Sequence, residues 1–364
     1  MIDKPLIIGI TGNIATGKSV IQRMLANVGA LGIDADVIAH RLLYPGAPAY
    51  QPVIDAFGSQ ILTQNGEISN QKLGKIVFND PKRLQQLEDL VHPLVIDVIH
   101  RRVKAAQCPI VAIEAIKLLE SGLANDCDQI WVSHATFNTQ LQRLIDSRGM
   151  SEQQARARIN LQPPQIEKLS HADVIINTES SFQDTWKKTQ KAVNDTIHTL
   201  KLDGFQNINN SCHGNLIKVS SFSDSQLENA WQDYSNRNVS TLYDFLGMKR
   251  VFPIVKKEKI LGFGIWDGWN FTATLKKVFP STLLEDMSTL VLSTFEEHAQ
   301  KAQSEILLLP RDLTNGMNSK LSSFGLSQSQ PVELSYPAWR TAAFKAAVND
   351  DTPLWLKVLI PPFD

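Results

Sequence analysis

The sequence predicts an α/β protein in which a doubly wound parallel sheet is followed by a second, α+β domain. Over the first 200 residues, short apolar runs alternate with longer segments of helical periodicity, and a glycine-rich turn ending in lysine separates the first run from the first helix. Turn-forming residues then interrupt this pattern at 204–215. Because strands that alternate with helices form parallel sheets covered on both faces, we expect domains at 1–203 and 216–364, joined by a linker.

The composition is that of an ordinary globular protein, with 43% hydrophobic and 20% charged residues in a chain of 364. A formal net charge of −1 argues against a strongly basic nucleic-acid binder. The three cysteines show neither close pairing nor metal-ligand spacing, which indicates a reducing compartment. The first apolar run is too short for a signal or membrane segment. We therefore expect a cytoplasmic protein without nucleic-acid or membrane partners, and the sequence specifies no oligomeric state.

The short apolar runs and the segments of helical periodicity predict the strands and helices of the first domain. The predicted strands are the apolar runs at residues 6–11, 30–34, 109–113, 130–132 and 174–176. The predicted helices lie at residues 18–28, 81–104, 138–148, 151–161 and 182–200, with one more starting near Val37.

The turn after the first strand has the residue spacing of a phosphate-binding P-loop. Gly12 and Gly17 permit backbone conformations that let successive N–H groups face one anion, and the following helix adds its N-terminal donors. Lys18 can neutralise the β and γ phosphates of ATP, while the Ser19 hydroxyl can ligate Mg²⁺. The predicted nucleotide contacts are therefore Gly12, Asn13, Ile14, Ala15, Thr16, Gly17, Lys18, Ser19 and Val20.

Two aspartates follow the second strand, at the carboxyl edge where ligands of doubly wound sheets bind. Either could cap the next helix, and either could orient an acceptor hydroxyl or accept its proton. We assign the cap to Asp34 and the catalytic role to Asp36.

Arginines are concentrated on two consecutive predicted helices, at Arg143, Arg148, Arg156 and Arg158. A mobile arginine-bearing lid could neutralise the charge of a transferring phosphoryl group. The alternative is a solvated face with i,i+4 ion pairs such as Glu152 with Arg156. The cluster as a whole favours a lid, and the absence of an Asn-Lys-x-Asp motif argues against a GTPase.

Over residues 5–200, the order of motifs resembles that of dephospho-CoA kinases. The matching segments are 11–19, 33–36, 45–46, 57–58, 73–78, 92–93, 118–120 and 172–177. The resemblance implies transfer of the ATP γ-phosphate to the ribose 3′-hydroxyl of dephospho-CoA, the last step of coenzyme A synthesis. It implies Asp36 as general base, Arg143 and Arg148 as lid cations and Asn177 as a nucleotide contact. It also implies acceptor contacts at His92, Pro93 and Leu118, with the first two in a helical insertion.

Two residues depart from that family pattern. Lys117 replaces the usual proline before the paired leucines, and a solvent-facing side chain is expected for it. Glu179 replaces a common glycine two residues after Asn177, which affects the expected adenine contact.

The second domain weakly resembles GNAT-type acyltransferases. The observations are a hairpin at 251–255 and 260–266, a helix at 283–302 and a strand at 306–309. The segment from Phe279 to Asp286, where the resemblance expects a glycine-rich pyrophosphate loop, contains acids and no glycine. We therefore expect a packing or regulatory role, with Tyr243 a core aromatic and His298 on a surface helix.

Two alternatives stay open at this point. One is a P-loop kinase for another nucleotide or vitamin hydroxyl, which an acceptor screen would identify. The other is a regulatory module that binds ATP without turnover, for which a base at Asp36 would have little use.

Overall fold

A computed structural model describes residues 4–199, 224–234, 241–334 except 258 and 270, 336–347 and 352–360. The chain divides into two compact units, one made of residues 1–32 with 106–362 and the other of residues 33–105. The predicted linker at 204–215 lies outside the described residues.

The first sheet has five strands in the order β2-β3-β1-β4-β5. Strand β1 runs parallel to both β3 and β4, and β4 runs parallel to β5. The predicted doubly wound parallel sheet is therefore confirmed. Its strands are β1 (Leu6–Thr11), β2 (Leu31–Asp34), β3 (Ile110–Glu114), β4 (Gln129–His134) and β5 (Val174–Asn177).

In the larger unit, helix α1 (Lys18–Asn27) packs on this sheet with its apolar face inward. Ile21 and Leu25, one turn apart on α1, are completely buried together with Ile8 and Ile10 of β1. The helices of this unit that follow β4 and β5 are α6 (Phe137–Arg148), α7 (Glu152–Asn160), α8 (Gln165–Leu169) and α9 (Phe182–Thr199).

The smaller unit is helical. It contains α2 (Ala35–Leu42), α3 (Tyr50–Phe57), α4 (Asn70–Val77) and α5 (Pro81–Lys104). Helix α5 starts where the sequence predicts, because Asp80 accepts hydrogen bonds from the N–H groups of Lys82 and Arg83 and Pro81 occupies the first turn. The sequence pattern did not predict α3 and α4.

A second sheet of six strands has the order β10-β11-β9-β8-β7-β6. All its neighbouring pairs are antiparallel except β8 with β9, which is parallel. The predicted hairpin and the short strand at 306–309 are both present, whereas three further strands were not anticipated. The bounds are β6 (Arg250–Lys256), β7 (Lys259–Trp269), β8 (Thr272–Phe279), β9 (Ile306–Leu309), β10 (Ser327–Ser329) and β11 (Leu354–Val358).

The helix expected at 283–302 is interrupted, which corrects that prediction. Met287 has φ −132° and ψ 41°, outside the helical region, and separates α12 (Leu283–Asp286) from α13 (Ser288–Lys301). The break lets Leu283 and Leu284 of α12 and Phe295 of α13 all reach the core. The remaining helices are α10 (Asp224–Tyr234), α11 (Leu242–Met248), α14 (Arg311–Thr314), α15 (Asn318–Ser323) and α16 (Pro337–Ala346).

Strands β6, β7 and β8 of the second sheet contribute side chains to a core on each face. Phe252 and Ile254 of β6 face a core shared with α13, whereas Val251, the residue before Phe252, faces a second core. That second core also contains Met24 of α1 and Trp186 of α9. Helix α1 is therefore packed between the two sheets of the larger unit.

Among the described residues, no helix has the combination of length and apolar character needed to cross a bilayer. The predicted domain boundaries, and the GNAT-like nature of the C-terminal region, stay predictions.

Candidate active site

The P-loop leaves β1 at Thr11 and enters α1 at Lys18. Gly12 and Gly17 have φ values of 146° and 96°, which side chains with a Cβ rarely adopt. A Cβ at Gly12 would lie 2.4 Å from Ser133 Oγ, and one at Gly17 would lie 2.9 Å from Thr178 Oγ1. Both glycines are thus required by backbone conformation and by the close approach of β4 and of the residue that follows β5.

Lys18 is the first residue of α1, and its side chain folds back over the P-loop. Its side chain is buried, and Nζ donates hydrogen bonds to the carbonyl oxygens of Gly12 at 2.9 Å and Asn13 at 3.1 Å. The ammonium group is held over the turn at the N-terminus of α1, where a helix stabilises negative charge. This placement suits a cation that accompanies a polyphosphate.

Ser19 has an acidic neighbour that sequence reasoning missed. Its hydroxyl donates to Glu114 Oε1 at 2.7 Å, and Glu114, at the end of β3, is only 5% exposed. A hydroxyl and a carboxylate are hard oxygen donors of the type that Mg²⁺ prefers, and Mg²⁺ needs only one or two protein ligands beside water and phosphate. The two side chains therefore fit an Mg²⁺ site. The signal in the sequence was an acid at the carboxyl end of the strand beside β1.

Arg143 contacts the P-loop directly. From α6 its guanidinium donates to the Ala15 carbonyl oxygen at 3.1 Å, to Thr178 Oγ1 at 3.0 Å and to the Thr178 carbonyl oxygen. Burial lowers the pKa of Arg143, and the negative charge of Glu179 partly offsets that effect. The structure thus brings one of the two predicted lid cations to the phosphate-binding turn.

Two of the other arginines have different surroundings. Arg148 is exposed in the last turn of α6, and Arg156 forms an ion pair with Glu152 at 2.7 Å. For Arg156, the i,i+4 pair expected as the alternative to a lid is therefore present. The catalytic roles assigned to Arg143 and Arg148 stay predictions.

A second missed residue lies in the segment between α7 and α8. Gln162 Oε1 accepts a hydrogen bond from the backbone N–H of Ile14 at 2.6 Å, and the next carbonyl, that of Pro163, accepts one from Asn13 Nδ2 at 2.9 Å. Two hydrogen bonds therefore hold this segment against the P-loop. Nothing in the local sequence marks Gln162, because its partner is 148 residues away.

Asn177 is engaged by Glu179, the residue that departs from the family pattern. Asn177 Nδ2 donates to Glu179 Oε2 at 3.2 Å, and the Glu179 N–H donates to Asn177 Oδ1 at 2.9 Å. The predicted nucleotide contact of Asn177 stays a prediction, and this pair fixes the orientation of its amide.

Asp34 and Asp36 lie in the smaller unit. Asp34 Oδ1 accepts the Val37 N–H at 3.0 Å and caps α2, so the predicted cap is confirmed. Asp36 is exposed in the first turn of α2, and its proposed catalytic role stays a prediction. In the same unit His92 is half-buried on α5, with Pro93 following it inside the helix.

The remaining predicted positions have clear surroundings. Leu118 is completely buried, and a Cβ on Gly9 would lie 2.7 Å from its Cδ2, so its side chain belongs to the core. Its acceptor contact stays a prediction. Lys117 is exposed, as expected, and Val20 packs at the edge of the core shared with the second sheet.

In the C-terminal region Tyr243 is buried in the core that the second sheet shares with α1, as expected. The His298 ring is half-buried and lies 4.9 Å from that of Phe252.

Comparison with known proteins gives consistent matches over the N-terminal half. A model of the dephospho-CoA kinase family matches residues 6–184. A dephospho-CoA kinase of Carboxydothermus hydrogenoformans is 42% identical over 182 residues, covering 49% of this chain and 88% of the relative. One of Streptomyces avermitilis is 39% identical over 192 residues, covering 52% and 94%. The solved dephospho-CoA kinase of Campylobacter jejuni is 26% identical with a TM-score of 0.40, covering 52% and 96%.

Proposed function

The chain belongs to the dephospho-CoA kinase family, and on that basis we propose that it transfers the γ-phosphate of ATP to the ribose 3′-hydroxyl of dephospho-CoA. The products are ADP and coenzyme A, and the reaction is the last step of coenzyme A synthesis. The observation that supports this proposal best is the intact P-loop, with Lys18 buried over the turn and Ser19 bonded to Glu114.

In this proposal the loop N–H groups and Lys18 bind the β and γ phosphates, and Asn177 contacts the adenine. Asp36 accepts the proton of the acceptor hydroxyl as general base. Arg143 and Arg148 neutralise charge on the transferring phosphoryl group, and His92, Pro93 and Leu118 help to bind the acceptor.

Mg²⁺, when bound, would neutralise charge on the β and γ phosphates. Ser19 and Glu114 are the residues that would hold it, the carboxylate orienting the serine hydroxyl through their 2.7 Å hydrogen bond. Glu114→Gln is therefore expected to raise the Mg²⁺ concentration for half-maximal activity by roughly tenfold, since a charged partner of a metal ligand contributes that much. Glu167→Gln, an exposed change on α8, is the matched control and should leave it unaltered.

The direct test incubates the full chain with ATP, Mg²⁺ and dephospho-CoA and measures ADP and coenzyme A together. Lys18→Ala should reduce turnover at least about a hundredfold, because it removes the phosphate-binding cation. Lys187→Ala, on the exposed side of α9, should leave turnover unchanged. A folded wild-type protein that phosphorylates a different hydroxyl would identify another kinase, and one that binds ATP without any turnover would identify a regulatory module.

The setting that we propose is cytoplasmic. Cys108 and Cys127 are free thiols in the described part of the chain, which suits a reducing compartment.

A further inference from the structure

Helix α1 carries a polar stripe along one face. Ser19, Arg23 and Asn27 are spaced four residues apart, so their side chains follow one another along the helix. The stripe begins at the phosphate-binding end of α1 and runs to its last residue, Asn27. The stripe therefore runs the whole length of α1, the helix packed between the two sheets.

The lower part of the stripe binds the C-terminal region. Asn27 is 6% exposed; its Nδ2 donates to the carbonyl oxygens of Leu246 at 2.9 Å and Lys249 at 3.1 Å, and its Oδ1 accepts the Val251 N–H at 2.8 Å. Arg23 Nε donates to the Gly247 carbonyl oxygen at 3.0 Å. These carbonyls belong to the last turn of α11 and the residue after it, where backbone oxygens lack helical partners.

The upper part of the stripe meets the carboxylate of the phosphate site. Ser19 donates to Glu114, which is buried and so requires compensation of its charge. Arg23, one turn below Ser19, supplies a positive charge on the same face. Burial lowers the pKa of Arg23, and the negative charges of Glu114 and Asp267 partly offset that effect.

The surrounding charges support this arrangement. Asp267 pairs with Lys249 at 2.8 Å, and the half-buried Arg250 guanidinium lies 4.8 Å from the Trp266 ring centre. Burial and the neighbouring charge of Arg23 lower the pKa of Arg250 to about 10. Two guanidinium groups therefore lie in one region, and the carboxylates of Glu114 and Asp267 offset part of the cost of placing Arg23 there.

Gly247 fixes how closely α11 approaches. A Cβ at this position would lie 2.3 Å from Phe182 Cδ1, at the start of α9, so only glycine allows the observed packing. Larger residues would push α11 and its carbonyl away from Arg23. The C-terminal region therefore offers a variant that disturbs Arg23 without altering the P-loop.

We propose that Arg23 is a positioning residue of the phosphate site, and that α11 of the C-terminal region holds it in place. Arg23 anchored on Gly247 keeps the Glu114 carboxylate oriented toward Ser19, so the C-terminal half is part of the working kinase. This inference rests on the proposed function, and specifically on Ser19 and Glu114 acting on the metal-bound nucleotide.

The test uses the full chain and a fluorescent, non-hydrolysable ATP analogue, whose affinity is measured with Mg²⁺ and with EDTA. In the wild type we expect Mg²⁺ to tighten binding. Arg23→Met and Gly247→Ala should each reduce that Mg²⁺-dependent gain by roughly three- to tenfold, the size expected for the loss of one typical hydrogen bond. Arg23→Lys, which keeps the charge, should recover part of it.

Two comparisons separate positioning from simple destabilisation. Phe295→Leu, in the core on the other face of the second sheet, should lower the unfolding temperature and leave the Mg²⁺-dependent gain unchanged. The double variant Arg23→Met/Gly247→Ala should be no worse than Arg23→Met alone, because both changes act through one contact. Effects that multiply, or an unchanged gain in Arg23→Met, would overturn the proposal.

Thermal unfolding of each variant verifies that it is folded. If Gly247→Ala does not fold, the contrast between Arg23→Met and Arg23→Lys decides, since neither alters the C-terminal chain. A wild type that shows the Mg²⁺-dependent gain but forms no coenzyme A would defeat the proposed function and leave the role of Arg23 intact.

Discussion

Glu179 Oε1 accepts a hydrogen bond from the backbone N–H of Thr136 at 2.9 Å, at the N-cap of α6. The same oxygen accepts one from Thr139 Oγ1 at 3.1 Å. A carboxylate thus stabilises the start of the helix that carries Arg143. Glu179, which departs from the family pattern, is thus hydrogen-bonded to Thr136 in the connection between β4 and α6.

The first prediction concerns the pH dependence of this cap. Hydrogen bonds from Thr136, then Asn177 and Thr139, lower the pKa of Glu179 from 4.5 to about 2. A lowered carboxylate pKa stabilises the fold above the unfolded value, and that contribution is lost as pH falls from 4.5 towards 2. The unfolding temperature of Glu179→Gln should therefore lie below that of the wild type by a constant amount at pH 6–8, and the gap should narrow below pH 4.5. A gap that stays constant into acid would contradict the assignment.

The second prediction separates Asp34, which caps α2, from Asp36 in its first turn. Asp34→Ala removes the cap on Val37 and should lower the free energy of unfolding by about 1 kcal/mol, measured by urea denaturation. Asp36→Asn should change stability by less than about 0.5 kcal/mol, since an exposed surface site contributes little. Its turnover should fall by roughly 10²–10⁴, the usual contribution of a general base. Full activity in Asp36→Asn would remove it from the mechanism.

The third prediction tests the contact between Gln162 and Ile14. Gln162→Ala removes a 2.6 Å hydrogen bond that holds the segment between α7 and α8 on the P-loop. Losing about 1 kcal/mol at this contact should reduce kcat/KM for ATP by roughly fivefold. Gln153→Ala, exposed on α7, is the matched control and should behave as the wild type. Equal kinetics for both variants would show that the contact has no part in turnover.

The fourth prediction concerns a chain that ends at residue 203. Met24 and Trp186 are 0% and 1% exposed in a core completed by α10, α11 and the second sheet. Removing those elements would expose both side chains, at a cost of about 1.5–3 kcal/mol for each large apolar group. The shortened protein should therefore be less soluble and should unfold at a lower temperature than the full chain. A soluble fragment with full activity would show instead that the C-terminal region is an independent appendage.

Much of the first domain could be predicted because its signals are local. Gly12 and Gly17 are required by backbone conformation, and Asp34 and Asp80 cap helices through bonds to residues two or three positions away. Apolar runs marked the five strands of the first sheet, and helical periodicity marked the long helices. The pattern did not reveal short elements such as α3, β10 and β11, because their 8, 3 and 5 residues are too few to establish a periodicity.

The parts that escaped prediction depend on partners distant in sequence. Glu114 lies 95 residues from Ser19, Gln162 lies 148 from Ile14, and Val251 lies 224 from Asn27. A local pattern specifies which face of a helix is apolar and which is polar. Which carboxylate or carbonyl meets each of its side chains is set by how sheets and helices pack together, and packing depends on the shape and burial of the whole fold rather than on neighbours along the chain.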